Sequence, residues 1–274
     1  MTEHIVPDGV RRMPVAQYLR RAYPLLPGWV LREAFKRRGV RVNGDRCGSD
    51  AMTQARNAIR LYVDEKYLSG ECAVLYEDGA LLAVEKEAGL PVDVDQGGIG
   101  EDTVLARIRR AYPGARLCHR LDTGTGGVLI AALTDAAYER VLAAFKQGEV
   151  EKRYECIIKG TLEPVQSVLR GYLRKDASTS HVTIYDQPVH GALEIETRYR
   201  MIESYDDASR LEVDLITGRT HQIRAHLAHI GHPVAGDDKY GDRAFNREIG
   251  AKYPLLWCTR MVIFGEEICS EAKF

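Results

Sequence analysis

At 274 residues, with 45% hydrophobic and 28% charged side chains, the chain can bury a full core and fits one large domain plus a small one. No apolar run approaches the roughly 20 residues of a bilayer-spanning helix. The opening Met1-Thr2-Glu3-His4-Ile5 lacks the profile of a secretory signal, so a cytoplasmic location without membrane partners is expected.

The formal net charge of −1 conceals an asymmetry. Residues 1–64 hold 12 Lys+Arg against 6 Asp+Glu, and the remainder holds 26 against 33. A basic head suggests contact with a polyanion, although a solvated helix face gives the same count. The six cysteines (Cys47, Cys72, Cys118, Cys156, Cys258, Cys269) are scattered without a Cys-x-x-Cys pair and read as reduced small hydrophobes.

In chain order, Val15, Tyr18, Leu19 and Ala22 fall at helical spacing, and Pro24 and Pro27-Gly28 break the chain. A second helix turns Leu31, Ala34 and Phe35 inward and gathers Arg32, Lys36, Arg37 and Arg38, until Gly39 stops it. Val40-Arg41-Val42 alternates into an Asn43-Gly44 turn, and Ile59–Val63 is a second short strand. Residues 65–70 read as a linker. Ala73–Tyr76 and Ala80–Val84 form a hairpin about Glu77-Asp78-Gly79. Glu85–Val92 reads as irregular, and residues 103–111 as a helix capped by Asp102 or Thr103.

The centre of the chain is His119-Arg120-Leu121-Asp122-Thr123-Gly124-Thr125-Gly126-Gly127, followed by the buried-strand composition of Val128–Leu133. Asp122 thus sits on a strand-to-strand connection, where a rigid sheet can aim it at a ligand; a simple turn cap is the ordinary alternative. Thr134-Asp135 caps a helix that runs to Gln147 and ends at Gly148. Val150–Ile158 is a strand with Tyr154, Cys156 and Ile158 on one face. Residues 161–190 resist assignment, and strands follow at Leu193–Arg200 and Leu211–Ile216. Thr217-Gly218-Arg219-Thr220-His221-Gln222-Ile223-Arg224 then opens a helix with Ile223, Leu227 and Ile230 inward, Thr220 as N-cap and Arg219 at its mouth. The alternation gives an α+β class with a mixed sheet.

Several chemistries can be weighed against this pattern. His221, His226, His229 and His232 lie close in sequence, but they lack the i, i+4 spacing and carboxylate of a zinc helix, so no metal site is expected. The glycines after Asp122 precede a strand and no Lys-Ser/Thr, which excludes a P-loop. Cys118 adjoins His119, but neighbours on a strand point to opposite faces. There remain one carboxylate, Asp122, an arginine, Arg219, and an aromatic strand residue, Tyr154. A surface cation and ordinary core packing are the bland readings of the last two.

The two short helices, basic cluster and tight hairpin of the N-terminal part resemble a ribosomal S-four-type (alpha-L) RNA-binding domain, through Phe35-Lys36-Arg37-Arg38, Val40-Arg41-Val42-Asn43-Gly44 and Ile59-Arg60-Leu61-Tyr62-Val63. Farther on, three co-ordered motifs resemble the RluA-type pseudouridine synthases: His119-Arg120-Leu121-Asp122 with Thr125 and Gly127; Lys152-Arg153-Tyr154; and Gly218–Arg224 with His232-Pro233, Gly236-Asp237 and Tyr240-Gly241. This second resemblance covers roughly residues 70–265. Together they imply an S-four-like RNA-binding domain at 1–64, the linker, and a catalytic domain at 71–274 with a largely antiparallel mixed sheet and flanking helices.

The resemblance further implies isomerisation of uridine in RNA, by default large-subunit ribosomal RNA, with no cofactor, metal or hydrolytic water and with a monomer as the expected state. Asp122 becomes the catalytic aspartate, Tyr154 the ring-packing tyrosine and candidate base, and Arg219 the ion-pair partner of the aspartate. Lys36, Arg37, Arg38, Arg41, His119 and Arg120 become RNA contacts. A catalytically silent RNA-binding factor and a nucleoside hydrolase are the rival readings. The chain departs from the family pattern at Gly124 and Gly126, where Asp and Ser are common, so a looser turn is expected there. It departs also at Lys86-Glu87-Ala88-Gly89, for Lys-Pro-Ala-Gly, and at Leu256-Trp257-Cys258, for Leu-His-Ala.

Overall fold

The structure, a computed structural model, describes residues 2–24, 26, 28–63, 71–93 and 102–274, and of Trp29 the backbone alone. Pro27 and the expected linker at 65–70 lie outside the described residues. The chain divides into two compact units: Met1–Cys72 with Asp93–Pro113, and Ala73–Val92 with Gly114–Phe274.

The first unit contains β1 (Thr2–Ile5), β2 (Met13–Pro14), α1 (Val15–Ala22), α2 (Gly28–Lys36), β3 (Val40–Val42), β4 (Asp45–Arg46), β5 (Met52–Thr53), β6 (Ala58–Leu61) and α3 (Val104–Ala111). An antiparallel sheet runs in the order β1-β6-β3-β4, and β2 pairs with β5. Val15, Leu19, Leu31 and Ala34 of the helices pack with Val40, Ile59 and Leu61 of the strands, so the helical and alternating periods converge on one core. Asn43 and Gly44 take φ of 52° and 93°, as a two-residue hairpin turn requires. Arg38, not Gly39, supplies the left-handed residue after α2, at φ 56°. Thr103 caps α3 by accepting the Ala106 N–H at 3.0 Å, while Asp102 is engaged by both Nε and Nη2 of buried Arg107.

The second unit contains β7 (Ala73–Glu77), β8 (Leu81–Lys86), β9 (Arg116–Leu117), β10 (Gly126–Ala132), α4 (Asp135–Gln147), β11 (Glu151–Lys159), β12 (Gln166–Lys175), β13 (Val182–Tyr185), β14 (Leu193–Ser204), β15 (Ala208–Leu215), α5 (Gln222–His229), α6 (Arg243–Glu248), β16 (Leu256–Ile263) and β17 (Glu266–Cys269). They build one sheet in the order β13-β12-β14-β15-β11-β16-β10-β8-β7, with β9 added to β10 and β17 to β16. Every pairing is antiparallel except β10 with β16. The fold is therefore α+β, with a mixed, largely antiparallel sheet.

β10 is buried along its whole length, which explains its unbroken apolar run. β11 and β15 alternate, sending Tyr154, Cys156, Ile158, Leu211, Val213 and Leu215 to the interior. α4 packs on β10, and α5 packs on β13 and β14. The unassigned stretch at 161–190 holds β12 and β13, which extend the sheet beyond β14.

Candidate active site

Asp122 lies in the connection between β9 and β10, at the edge of the sheet's buried centre. The Thr125 N–H closes the turn by donating to the Asp122 carbonyl at 2.9 Å. Beneath it sits Lys86, at the end of β8 and 0% exposed. Its ammonium donates to the carbonyls of Glu87 (3.0 Å), Thr123 (2.9 Å) and Thr125 (2.6 Å). A buried cation is tolerated only when its donors are satisfied, and here that need ties the turn that follows Asp122 to the end of β8.

The turn is not loose, contrary to what its glycines suggested. A β-carbon on Gly124 would come within 2.7 Å of Pro254 Cδ, and one on Gly126 would overlap the Trp257 ring. The missing side chains make way for the 253–257 segment, which packs directly onto the turn.

The guanidinium that grips Asp122 is that of Arg224, not Arg219. Arg224 Nη1 donates to Asp122 Oδ2 at 2.7 Å, while its Nε and Nη2 donate to Asp237 Oδ2 (2.7 Å) and Oδ1 (2.9 Å). Asp237 is 0% exposed, and its Oδ1 also accepts the N–H groups of Lys239 and Tyr240. Burial opposes the charges of both groups, but the hydrogen bonds and charges they share outweigh it. Arg224 is pushed above, and Asp237 below, its ordinary range.

Arg219 fails as the partner because it precedes the helix. Its side chain is exposed and makes no ion pair among the described residues, and its N–H bonds Gln222 Oε1 at 3.1 Å. The N-cap of α5 is His221 rather than Thr220. Arg224 therefore falls in the first helical turn and shares its inward face with Leu227. That i, i+3 relation to a buried leucine was a signal in the sequence that favoured Arg224.

His221 stands at φ 55°, left-handed, and makes no side-chain capping bond. Its Nδ1 meets Tyr240 Oη at 2.8 Å, and its Nε2 lies 3.7 Å from Asp122 Oδ1. Tyr240 Oη also accepts the Val182 N–H at 2.9 Å, and its phenol proton is free to serve Nδ1, the arrangement in which neutral His221 carries its own proton on Nε2. Burial first, then Arg224 and Lys239, hold the ring below its usual pKa against the opposing pull of Asp122 and Asp237.

Tyr154 is 6% exposed and faces Val213 and Cys258 across the sheet. Burial pushes its phenol well above 10, and Cys258 and the charge of Asp122 add to that. It is a neutral wall beside the aspartate, poorly suited to act as a base.

His119 is half-buried, with its ring 5.1 Å from that of Phe145. Its Nε2 accepts the Ile130 N–H at 3.0 Å. Burial, assisted by Lys152, lowers its pKa to about 3, so it brings no cation to a phosphate at neutral pH. Arg120 is exposed beside it. Lys36, Arg37 and Arg38 are exposed on the first unit, where Arg37 pairs with Glu33 at 2.8 Å. Arg41 is half-buried, 5.7 Å from the Tyr62 ring centre.

The four neighbouring histidines are separated by their bonds: His226 to Thr197 Oγ1, His229 to Asp186 and His232 to the Lys159 carbonyl, with His221 in the site. The structure thus gathers Arg224, Asp237, His221 and Tyr240 about Asp122, sets Lys86 under its turn, and brings Tyr154 within reach of its charge.

Comparison with known proteins identifies the family. The RNA pseudouridylate synthase family model matches residues 80–229. The protein described as ribosomal large subunit pseudouridine synthase C of Rickettsia felis is 32% identical over an alignment of 295 positions, covering 94% of this chain and 92% of its own. The protein of that description from Vibrio cholerae is 30% identical over 252 positions, covering 85% and 78%. Among solved structures, human RNA pseudouridylate synthase domain containing 1 superposes with a TM-score of 0.63 at 26% identity, covering 73% of this chain and 83% of that one. Human RNA pseudouridylate synthase domain containing 4 shares the fold, with a TM-score of 0.60 over 73% of this chain and 88% of that one at 22% identity. The chain belongs to the RNA pseudouridylate synthase family.

Proposed function

We infer that the chain, an RNA pseudouridine synthase by family, isomerises uridine in large-subunit ribosomal RNA with Asp122 as its catalytic residue. The observation that carries this is the Asp122 carboxylate, 24% exposed at its side chain, with Oδ2 gripped by Arg224 and Oδ1 3.7 Å from His221 Nε2. One anchored carboxylate suits a reaction that keeps every atom of its substrate, whereas a glycosidase needs two carboxylates and a water. The bond from ribose C1′ to N1 breaks, the uracil turns, C1′ is joined to C5, and the C5 proton is lost as N1 gains one. A carboxylate so placed serves either by adding to C1′ or by taking a ribose proton at C2′; a deuterium isotope effect at C2′ separates these roles.

The uridine must leave its stack, at a cost of roughly a few kcal/mol. Tyr154 lines the place where it arrives. Residues 1–64 are proposed as an S-four-like RNA-binding domain, with Lys36, Arg37, Arg38 and Arg41 bonding phosphates and Arg120 contacting RNA nearer the site. One chain carries all the site residues named, so a monomer in the cytoplasm, where ribosomal RNA is assembled, meets the requirements.

The test is Asp122→Asn, introduced into a strain lacking the wild-type gene, with pseudouridine mapped across ribosomal RNA. Loss of a modification that wild type restores, with RNA binding retained, supports the reading. Undiminished modification removes Asp122 from the mechanism, wild type that binds RNA without modifying it indicates a silent factor, and release of free uracil indicates a hydrolase.

A further inference from the structure

The mechanism above leaves the His221–Tyr240 pair unused, although it is built into the site with some strain. A left-handed backbone is uncommon outside glycine and collects at functional positions. A helix N-cap ordinarily spends its side chain on the first free N–H groups, yet His221 makes no such bond. Its imidazole is instead swung toward Asp122 and held there by Tyr240 Oη at 2.8 Å. Tyr240 is fixed in turn by the Val182 N–H at 2.9 Å and lies 5.3 Å from the Arg224 guanidinium and 4.9 Å from the His181 ring.

With Tyr240 donating to Nδ1, a donor and an acceptor face each other without meeting. His221 Nε2–H and Asp122 Oδ1 are 3.7 Å apart, too far for a hydrogen bond, with side chains 15% and 24% exposed. An oxygen about 2.8 Å from each atom closes that gap as the apex of a triangle, and it must accept from one side and donate to the other. A hydroxyl does both; a carbonyl or a phosphate oxygen does not.

On the reading that Asp122 acts at the ribose of a uridine, we propose that His221 and Asp122 together bind the 2′-hydroxyl of that ribose, and that His221 makes the site select ribose over deoxyribose at the target position. The 2′-hydroxyl neighbours the carbon at which the glycosidic bond breaks, so this contact sets the sugar against Asp122. Tyr240 is a positioning residue that keeps the proton of His221 on the nitrogen facing the substrate.

The experiment compares kcat/KM for a ribosomal RNA fragment carrying the mapped uridine with the same fragment bearing a single 2′-deoxyuridine there. Wild type is expected to prefer ribose by on the order of tenfold to a hundredfold. His221→Phe, which keeps the ring shape without a donor, is expected to lose a similar factor on the ribose substrate and little more on the deoxy one, so that its preference collapses toward one. His221→Gln, whose amide N–H reaches as Nε2 does, retains most of the preference, whereas the shorter His221→Asn does not. Should the Phe variant fail to fold by thermal melting, the Gln and Asn pair carries the comparison. A preference unchanged across the variants, or absent from wild type, overturns the proposal while leaving Asp122 in place. Loss of the Asp122 requirement overturns the catalytic reading instead.

Discussion

Replacing Arg224 by lysine while leaving Arg219 intact is the perturbation that most directly probes the site. The guanidinium spans two carboxylates with three charge-assisted hydrogen bonds, two to Asp237 and one to Asp122. Lysine keeps the charge but not the planar span, so reaching Asp237 it abandons Asp122. One hydrogen bond to a charged group is worth roughly 1.5–3 kcal/mol. At about 1.36 kcal/mol per tenfold, single-turnover pseudouridine formation should fall roughly 10- to 150-fold at saturating enzyme. Stability should drop by about 2 kcal/mol in urea, since fully buried Asp237 keeps two backbone N–H donors but loses its bidentate partner. Arg219→Lys, at an exposed position without an ion pair among the described residues, should leave both quantities within about twofold and 0.5 kcal/mol. A severe rate loss at Arg219 with a benign Arg224→Lys would refute the assignment.

Lys86→Met should destabilise the protein by about 3 kcal/mol and slow turnover without weakening RNA binding, because three carbonyls around the Asp122 turn lose their donor; an unchanged melting curve would contradict this. Buried His226, lowered to about 4 chiefly by burial, titrates below its unfolded value of about 6.5. The unfolded chain therefore binds the extra proton first: this contribution to stability is complete above pH 6.5 and is lost as pH falls toward 4, by on the order of 2 kcal/mol between pH 7.5 and 5. His119 adds in the same direction, and His226→Gln should flatten the pH dependence of urea midpoints by its own share. Thr125 Oγ1 is buried with no hydrogen-bond partner among the described residues, so Thr125→Val should be neutral or stabilising by about 1 kcal/mol in a thermal melt. Gly126→Ser should cost about 2 kcal/mol through overlap with Trp257, and Trp257→His in the same chain should recover part of it; strictly additive losses would show that the two sites do not touch energetically.

Elements whose own sequence sufficed were read correctly for physical reasons. α4 carries its start and stop signals, Thr134 and Gly148, and a buried stripe between them. The 40–46 hairpin carries Asn-Gly at the only spacing that places both residues at positive φ. β12 was illegible because its register comes from β14, not from itself. Its first residues alternate weakly between exposed and half-buried, and Gly171 offers no side chain to the pattern where Ile184 and Tyr185 approach from β13. β16, the parallel neighbour of β10, was hidden for a related reason. Buried strands in the middle of a sheet announce themselves by composition, and Trp257-Cys258-Thr259-Arg260 mixes polar and apolar residues that only the packing sorts.

The site divides along the same line. Asp122 and Tyr154 stand out locally, the one beside a glycine-dense turn and the other at a fixed parity along a strand. The partner of Asp122 depended on where α5 begins, and a one-residue shift of the N-cap from Thr220 to His221 is below what capping propensity can resolve. The departures at Gly124, Gly126 and Trp257 looked like three independent losses in the sequence. In space two of them are a single exchange, an indole occupying the volume that a side chain on Gly126 would take, and the third makes way for Pro254. Trp257 then donates its indole N–H to Ser270 Oγ, whose O–H donates to Glu85 on β8, the strand that ends in Lys86. At this contact the bulk therefore lies on the 253–257 segment and the glycines on the Asp122 turn, which stays closely packed. Such an arrangement holds the turn in place without the motif by which the sequence would advertise it.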